Sequence, residues 1–499
     1  MISANQSDNT QTIPAPVAFS RRGVLLLMAV AAAAFAFNIW HGLDVDEYTS
    51  WAKTRMAPME LIENRLTAGH FPTYFLMLWQ WVRIFGITEA AMRLPSLLMT
   101  LAALLCFRRL AADLFGRQTA GLATAIFCLH QLVIWTAQQA RPYAGALLGT
   151  TLTAMALARW WNNGRARWLA LTAAAAVLGF SFLPSCAMTM AAFALALCRT
   201  WPRAPRKALA AQAALLAPLA LLILPALLLA EKQHNYAIQH DAWLFRPLKM
   251  ADALSRVVFG DYQTWAGKWF AAASVTVFII LCWGATRQLR RGSIPAPGAA
   301  LASFPRAAFV WCWAFTPIII LMIAEGLIGE SLLSHPRYLV PALGGLILII
   351  ALGLSPLTFS PSRAAPWKYA PAAIVLALML PCTVAWWRDR GDGPAVLARA
   401  MTARTPGVLI AGYAHILHYE YMREMPKPLL PIDGLSESQA RDQLKELPPD
   451  RPFWLFVYNN KRDPLDAIIA SPPEGWRAAL ILKYRDARSA LFQPAKPPE

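Results

Sequence analysis

The stretch RRGVLLLMAVAAAAFAFNIWHGLDVDEYTSW, residues 21–51, joins an apolar segment directly to a cluster of acids. Its apolar part, Gly23 to Trp40, has about the length that an α-helix needs to cross a bilayer. A cleaved signal peptide starts near the N-terminus and ends at a small-residue site, whereas this segment follows a polar stretch and ends in NIWHG. We therefore predict an uncleaved first membrane helix, preceded by a disordered cytoplasmic tail at residues 1–21.

The apolar character continues through most of the chain. Of the 499 residues, 57% are hydrophobic and 15% are charged, against about 25% charged in an ordinary soluble protein. Long apolar blocks recur as far as Trp387, which predicts a polytopic membrane protein. We place about eleven spans, at residues 22–40, 89–107, 119–136, 142–158, 166–183, 185–199, 208–230, 268–286, 308–326, 338–356 and 369–387.

The basic residues predict how these spans are oriented. The net charge of +18 could indicate nucleic-acid binding, but the Lys and Arg residues lie in short loops rather than on one continuous face, which argues against it. Loops such as 107–117 and 287–292 are assigned to the cytoplasm, because positive charge in short loops marks that side. The acids of residues 43–51 then lie outside. We expect a bacterial inner-membrane protein with a cytoplasmic N-terminus.

One apolar block is too short to span. HFPTYFLMLWQWVRIFG, residues 70–86, would reach only about 24 Å as a helix, less than the roughly 30 Å hydrocarbon core. We predict that it is an interfacial or re-entrant helix within a first outer loop, residues 41–88. The membrane domain then covers residues 22–387.

Residues 388–499 have the composition of a soluble domain. A capping box at Ser436 and Gln439 predicts a helix start. Three strands are predicted at GVLIAGYAHI (407–416), PFWLFVY (452–458) and AALILKY (478–484). The expected fold is therefore mainly α, with about eleven membrane helices, interfacial helices in the first outer loop and a small periplasmic α/β domain.

Polar residues remain at the outer ends of the spans after the topology is assigned. They are Asp44, Asp46, Glu47, His70, Gln138, Gln139, Arg141, Tyr143, His335, Arg337 and Tyr338. Acids beside basic groups suit a substrate with a nucleophilic hydroxyl and a lipid-borne phosphate, because a carboxylate can accept the hydroxyl proton and Arg or His can bind phosphate oxygens. Simpler roles stay open: loop acids, a helix cap or a divalent-cation pair for the carboxylates, and interface anchors for Arg and Tyr.

Five motifs in a fixed order resemble a known family. They are DVDEYTSWA, HFPTYFLMLWQWVRIFG, EAAMRLPSLLMTLAALL, QQARPYAGALL and HPRYLVPALGGL. The set is similar to the GT-C superfamily of membrane glycosyltransferases, in the branch with protein O-mannosyltransferases and the lipid A aminoarabinose transferase. The resemblance covers residues 22–387. It implies a polyprenyl-phosphate-linked hexose or pentose donor, used outside with inversion at the anomeric carbon.

The resemblance also implies roles for single residues. Asp46 corresponds to the base that activates the acceptor hydroxyl, and Glu47 supports it or binds the acceptor. Residues implied to bind the donor phosphate or substrate are His70, Arg141, Tyr143, His335, Arg337 and Tyr338. At residue 71, a phenylalanine replaces the first proline of the family's motif around His70.

Inversion also follows from chemistry, because a retaining enzyme normally needs a second carboxylate about 5 Å away, and the nearby Asp44 is poorly placed to act from the opposite face. No cofactor is expected to be required, although a divalent cation stays open.

The expected partners are the donor, membrane lipids and an acceptor that is a glycan, a lipid or a protein. A transporter of a lipid-linked sugar is the alternative, although it should carry ionisable residues at mid-span. A third possibility is a membrane-anchored binding protein that works through residues 388–499.

Overall fold

A computed structural model describes most of the chain. The described residues are 21–68, 70–230, 247–260, 267–290, 304–328, 332–358, 369–389, 393–404, 409–412, 429–432, 436–448, 451–458, 464–484 and 487–495. The tail at residues 1–20 lies outside them.

The helices are α1 (Arg21–Ala36), α2 (Val45–Thr54), α3 (Pro58–Thr67), α4 (Thr73–Phe85), α5 (Glu89–Leu129), α6 (Gln131–Ala137), α7 (Tyr143–Asn163), α8 (Ala166–Phe182), α9 (Cys186–Leu197), α10 (Pro205–Ala230), α11 (Pro247–Phe259), α12 (Gly267–Arg290), α13 (Arg306–Ile328), α14 (Leu343–Thr358), α15 (Ala370–Asp389), α16 (Gly393–Arg404), α17 (Glu437–Lys445) and α18 (Pro464–Ala470).

The element α5 consists of two helices joined at a kink, and these cover the predicted span 89–107 and most of the predicted span 119–136. Within it, Gly116 has φ 81° and ψ 170°, far from helical values. In a straight helix Phe107 and Phe127 would lie about 30 Å apart, yet their ring centroids are 5.0 Å apart. The helix therefore doubles back at Gly116, where the positive φ favours glycine. The chain therefore reverses within the loop predicted at residues 107–117, although it stays helical as far as this turn.

The described helices include several that can cross a membrane. Five are long and apolar enough: Glu89–Leu129, Trp269–Arg290, Arg306–Leu327, Pro336–Ser355 and Ala370–Trp387. This supports a multi-pass membrane protein, while the count of eleven spans stays a prediction. The helix α4 has 13 residues and reaches about 20 Å, short of a hydrocarbon core. It is therefore too short for a span, as the sequence indicated.

Small residues bring the helices together. A Cβ atom added to Gly149 of α7 would overlap the Cα atom of Gly179 on α8. Such close approach is typical of helix pairs in membranes, where small residues let the backbones make direct van der Waals contact. The α7–α8 pair therefore packs tightly and supports the segment that enters α7.

The C-terminal part forms one mixed sheet. Its strands are β1 (Leu409–Gly412), β2 (Leu429–Pro431), β3 (Phe453–Tyr458), β4 (Trp476–Tyr484) and β5 (Ala487–Pro494), in the order β2-β1-β3-β5-β4. β1 is parallel to β2 and β3, whereas β5 is antiparallel to β3 and β4. The three predicted strands are confirmed at β1, β3 and β4, although residues 413–416 lie outside the described ones. The capping box of α17 is also confirmed, since Ser436 Oγ accepts the Gln439 N–H at 3.3 Å and Gln439 Oε1 accepts the Ser436 N–H at 3.0 Å.

The sheet packs on the first loop of the membrane domain. Trp454 and Leu491 of the sheet, Met401 of α16, and Tyr48 and Trp51 of α2 belong to one cluster of buried side chains. The C-terminal domain therefore sits against the segment that carries the acidic motif.

Candidate active site

The acidic motif starts the helix α2. Asp44 is its N-cap: its Oδ1 accepts the Glu47 N–H at 2.9 Å, and Glu47 Oε2 accepts the Asp44 N–H at 3.1 Å. This is a capping box made of two acids. Burial, and then the charges of Glu47 and Asp46, raise the pKa of Asp44 to about 6. Asp44 is thus committed to the start of the helix.

Glu47 is fully buried and faces Arg93 on α5. Arg93 Nε donates to Glu47 Oε1 at 2.8 Å, and Nη2 donates to Oε2 at 2.5 Å. The same guanidinium donates to the carbonyls of Ile39, His41 and Gly42 at 2.7, 2.6 and 2.9 Å. A planar fork of donors suits this bidentate arrangement. A buried charge pair is stable only when its remaining polar atoms also form hydrogen bonds. The backbone carbonyls around Arg93 meet this condition.

The pair also fixes the segment that leads into α7. Glu47 Oε1 accepts the Ala140 N–H at 2.8 Å. Two residues earlier, Gln138 Nε2 donates to the Phe37 carbonyl at 2.8 Å, and its Oε1 accepts the Trp386 Nε1–H at 3.0 Å. The segment 138–141 is thereby tied to the end of α1, to α2 and to α15. Gln138 has a structural position rather than one facing substrate.

Asp46 points to a different arginine. Its Oδ2 lies 2.8 Å from Arg337 Nη1, on the 3-10 segment Pro336–Ala342. Arg141 Nη1 also donates to the Asp46 carbonyl oxygen at 3.3 Å. The side chains of Asp46 and Arg337 keep 38% and 31% of their surfaces exposed. Three sequence-distant residues that were expected at the site therefore meet, and solvent reaches them.

His70 lies among the cations that surround Asp46. His70 is exposed on one side, but its partial desolvation, and then the charges of Arg141, Arg65 and Arg337, lower its pKa to about 4. It is therefore neutral at physiological pH. A neutral His70 can exchange hydrogen bonds with a substrate but adds no charge.

Arg65 was missed by the sequence analysis. It is buried, and its guanidinium lies 5.1 Å from the Phe75 ring centroid, while that of Arg141 lies 5.9 Å from the same centroid. Two cations thus share one aromatic ring beside the site. The only signal for Arg65 in the sequence is its position shortly before His70 in the first outer loop, because α3 otherwise has the composition of an ordinary surface helix.

The remaining expected residues pack around the two arginines. Tyr143 is buried, packs against Trp135 with ring centroids 4.8 Å apart and ring planes tilted by 31°, and interacts with Arg141. The Arg337 guanidinium lies 5.6 Å from the Tyr338 ring centroid. His335 is exposed and meets Tyr338 edge to face at 6.0 Å. The tyrosines therefore support the arginines, and His335 lies at the rim.

The carboxylates do not converge as a cation-binding pair. Asp46 is paired with Arg337 and Glu47 with Arg93, so the two acids face different partners. Within the described ranges, no group of three or more His, Cys, Asp and Glu side chains is arranged to hold a metal ion. The arrangement instead offers one reachable carboxylate among cations.

The chain was compared with known families and structures. Residues 69–229 match the family model described as dolichyl-phosphate-mannose-protein mannosyltransferase. No curated protein sequence matches the chain significantly. The crystal structure of ArnT from Cupriavidus metallidurans bound to undecaprenyl phosphate aligns with a TM-score of 0.54 at 13% identity, over 95% of this chain and 98% of that one. The apo form of that protein aligns with a TM-score of 0.53 at 14% identity, over 94% and 97%.

At such low identity the structural likeness shows the fold, and the likeness extends over nearly the whole of both chains. The family model independently matches the segment from residue 69, just before α4, to residue 229 in α10. The family resemblance predicted from the ordered motifs is confirmed. The chain thus shares its fold with the membrane glycosyltransferase ArnT, and its residues 69–229 are similar to the dolichyl-phosphate-mannose-protein mannosyltransferase family.

Proposed function

We propose that this protein moves a sugar from a polyprenyl-phosphate-linked donor to an acceptor hydroxyl, at the extracytoplasmic face of the bacterial inner membrane and with inversion. The observation that carries the proposal is the reachable Asp46 carboxylate, 2.8 Å from Arg337 and beside Arg141. The similar fold of ArnT bound to undecaprenyl phosphate supports the class of donor. The acceptor is a glycan, a lipid or a protein.

Asp46 is proposed as the general base. The acceptor oxygen attacks the anomeric carbon from the face opposite the phosphate, and the new C–O bond forms as the bond to the phosphate oxygen breaks. The hydroxyl proton goes to Asp46, and the electron pair of the broken bond leaves with the polyprenyl phosphate. A positioned carboxylate contributes about 10²- to 10⁴-fold to such a step.

Arg337 and Arg141 are proposed to bind the donor phosphate. The phosphodiester of the donor carries one negative charge, and the departing monoester gains a second one, so cations beside it stabilise the transition state more than the ground state. A phosphate that binds Arg337 also competes with Asp46 for the same guanidinium. Donor binding would therefore free Oδ2 of Asp46 to accept the proton.

The other two acids of the motif have supporting positions. Both carboxylate oxygens of Glu47 accept hydrogen bonds from protein groups, including Arg93 and the Ala140 N–H, so Glu47 acts by holding α2 in place. Asp44 caps the same helix. Neither is arranged as the second, nucleophilic carboxylate of a retaining mechanism, which favours inversion.

Asp46→Asn tests the base, with Asp44→Asn as the matched control, because Asn caps a helix as well as Asp does. Purified protein in detergent is supplied with radiolabelled mannosyl- or aminoarabinosyl-undecaprenyl phosphate and with extracted lipid, glycan and protein. We expect Asp46→Asn to lose transfer by about 10²-fold or more, and Asp44→Asn to keep it.

Two outcomes would contradict the proposal. Equal sugar transfer by Asp46→Asn and by the native chain would rule out Asp46 as the general base. Movement of the intact donor across proteoliposomes, with no transfer to any acceptor, would establish the transporter instead.

A further inference from the structure

A groove opens between α12, α14 and α15, apart from the acidic motif. Its volume is about 260 Å³, and its walls are apolar except for Arg287 and Gln288 at one end. Its floor forms where Gly284 of α12 meets Gly353 of α14: a Cβ atom on Gly284 would lie 3.1 Å from the Gly353 carbonyl oxygen. Two facing glycines leave no side chains at this crossing, and a furrow results.

The rim of the groove faces outward from the helix bundle. Ile280 and Trp283 of α12 are 57% and 64% exposed, and Ile374 of α15 is 49% exposed. On a membrane span such side chains contact hydrocarbon rather than water. The natural occupant of an apolar furrow on this surface is therefore an acyl chain.

The polar end of the groove carries positive charge. The guanidinium of Arg287 lies 5.4 Å from the centroid of the Trp283 ring, a pairing of the kind found at membrane interfaces. Arg290 follows in the same last turn of α12 but does not line the groove. None of the residues that line the groove is acidic. Basic pockets between membrane helices bind anionic lipid headgroups, so this charge selects a phosphate with a net negative headgroup.

The groove and the acidic motif lie at opposite ends of the bundle. Gly353 follows Arg337 by sixteen residues of mostly helical chain, which corresponds to about 24 Å. Ile374 precedes Trp386 by twelve residues of α15, about 18 Å, and Trp386 bonds to Gln138 beside the site. A phosphate held by Arg337 cannot also reach Arg287. An anion that binds Arg287 must therefore be a different molecule from the donor, and it comes from the leaflet opposite the acidic motif.

We propose that this groove is a binding site for an anionic phospholipid, with one acyl chain along α12 and the phosphate on Arg287. Neither the family match nor the site around Asp46 assigns it, and it does not depend on transfer activity.

The test is retention of lipid by the full-length protein in native mass spectrometry, after release from nanodiscs that contain phosphatidylglycerol or phosphatidylcholine with the same acyl chains. We expect preferential retention of phosphatidylglycerol by the native chain. Arg287→Gln should weaken that retention about fivefold, the effect of removing one basic contact. Arg290→Gln is the matched control, on the same helix end but outside the groove lining, and it should change retention less than twofold.

A second variant, Val277→Phe, fills the apolar wall and should lower retention of both lipids while leaving the charge intact. Equal loss in Arg287→Gln and Arg290→Gln would overturn the proposal in favour of a diffuse basic surface. Equal retention of the two lipids by the native chain, or unchanged retention in both Arg287→Gln and Val277→Phe, would also overturn it.

Discussion

Glu47 and Arg93 stand 46 residues apart in the chain and form a fully buried charge pair, with Oε2 and Nη2 2.5 Å apart. The pair joins the chain just after α1, the start of α2, the helix α5 and, through Ala140, the segment before α7. Asp46 precedes Glu47 directly, so its direction toward Arg337 depends on this junction. The stability of this junction and the direction of the Asp46 side chain are therefore coupled at one buried contact.

Arg93→Met should strongly destabilise the protein, because it leaves the Glu47 carboxylate buried without its partner. Breaking a buried pair from one side costs about 3–5 kcal/mol. Thermal unfolding of the purified protein in detergent measures the change. Asp113→Asn is the control, since Asp113 pairs with Arg109 and Arg159 in a partly exposed cluster, where we expect less than about 1 kcal/mol. Equal stability of Arg93→Met and the native chain would show that the Glu47–Arg93 pair does not stabilise the fold.

Arg337→Ala should weaken binding of undecaprenyl phosphate by about tenfold or more, the expected effect of losing charge-assisted hydrogen bonds. Arg337→Lys should restore part of the affinity, because it keeps the charge but loses the planar fork. Lipid titration followed by thermal shift measures both variants. Arg83→Ala is a suitable control, since Arg83 packs over Trp79 and bonds to its carbonyl rather than to Asp46. Unchanged affinity in Arg337→Ala would rule out its phosphate role.

Asp44 should make stability fall as pH rises. Its pKa is raised from 3.8 to about 6 in the folded chain, so the folded protein binds the proton more tightly than the unfolded one. The resulting stabilisation is present below pH 4 and is lost as pH rises through 6. Asp44→Asn keeps the cap and should flatten the change in Tm between pH 5 and pH 7.5. An identical pH slope in the variant would show that Asp44 does not cause it.

Glu325 is predicted to position Arg337. It is fully buried on α13, and its Oε2 accepts the Leu333 N–H at 3.0 Å, just before the segment that carries Arg337. Glu325→Ala should raise the donor KM by displacing that segment, while Glu325→Gln keeps an acceptor oxygen and should preserve the native value. Steady-state kinetics with varied donor separates KM from kcat. If Glu325→Ala changes only the amount of folded protein, the residue has no positioning role.

Features with a local cause were predictable from the sequence. The capping box at Ser436 depends on residues three positions apart, and the strands β3 and β4 follow from short apolar runs with strand-forming residues. The prediction that α4 is too short to span a membrane required only a count of the residues in its apolar block. The reversal near Gly116 was predicted as a loop at residues 107–117, but its form was not, because a charged stretch between two apolar ones indicates an open loop as readily as a helix that turns at one glycine.

The membrane class, the local elements and the set of polar residues at one end of the spans all follow from the order of amino acids along the chain. Which neighbour in the acidic motif faces the site depends instead on how the helices pack. Consecutive residues on a helix point about 100° apart, so Asp46 and Glu47 must face different partners. Which of them meets Arg337 depends on how α2 rests on α5, and that is set by Arg93, a residue distant in sequence that no local pattern connects to the motif.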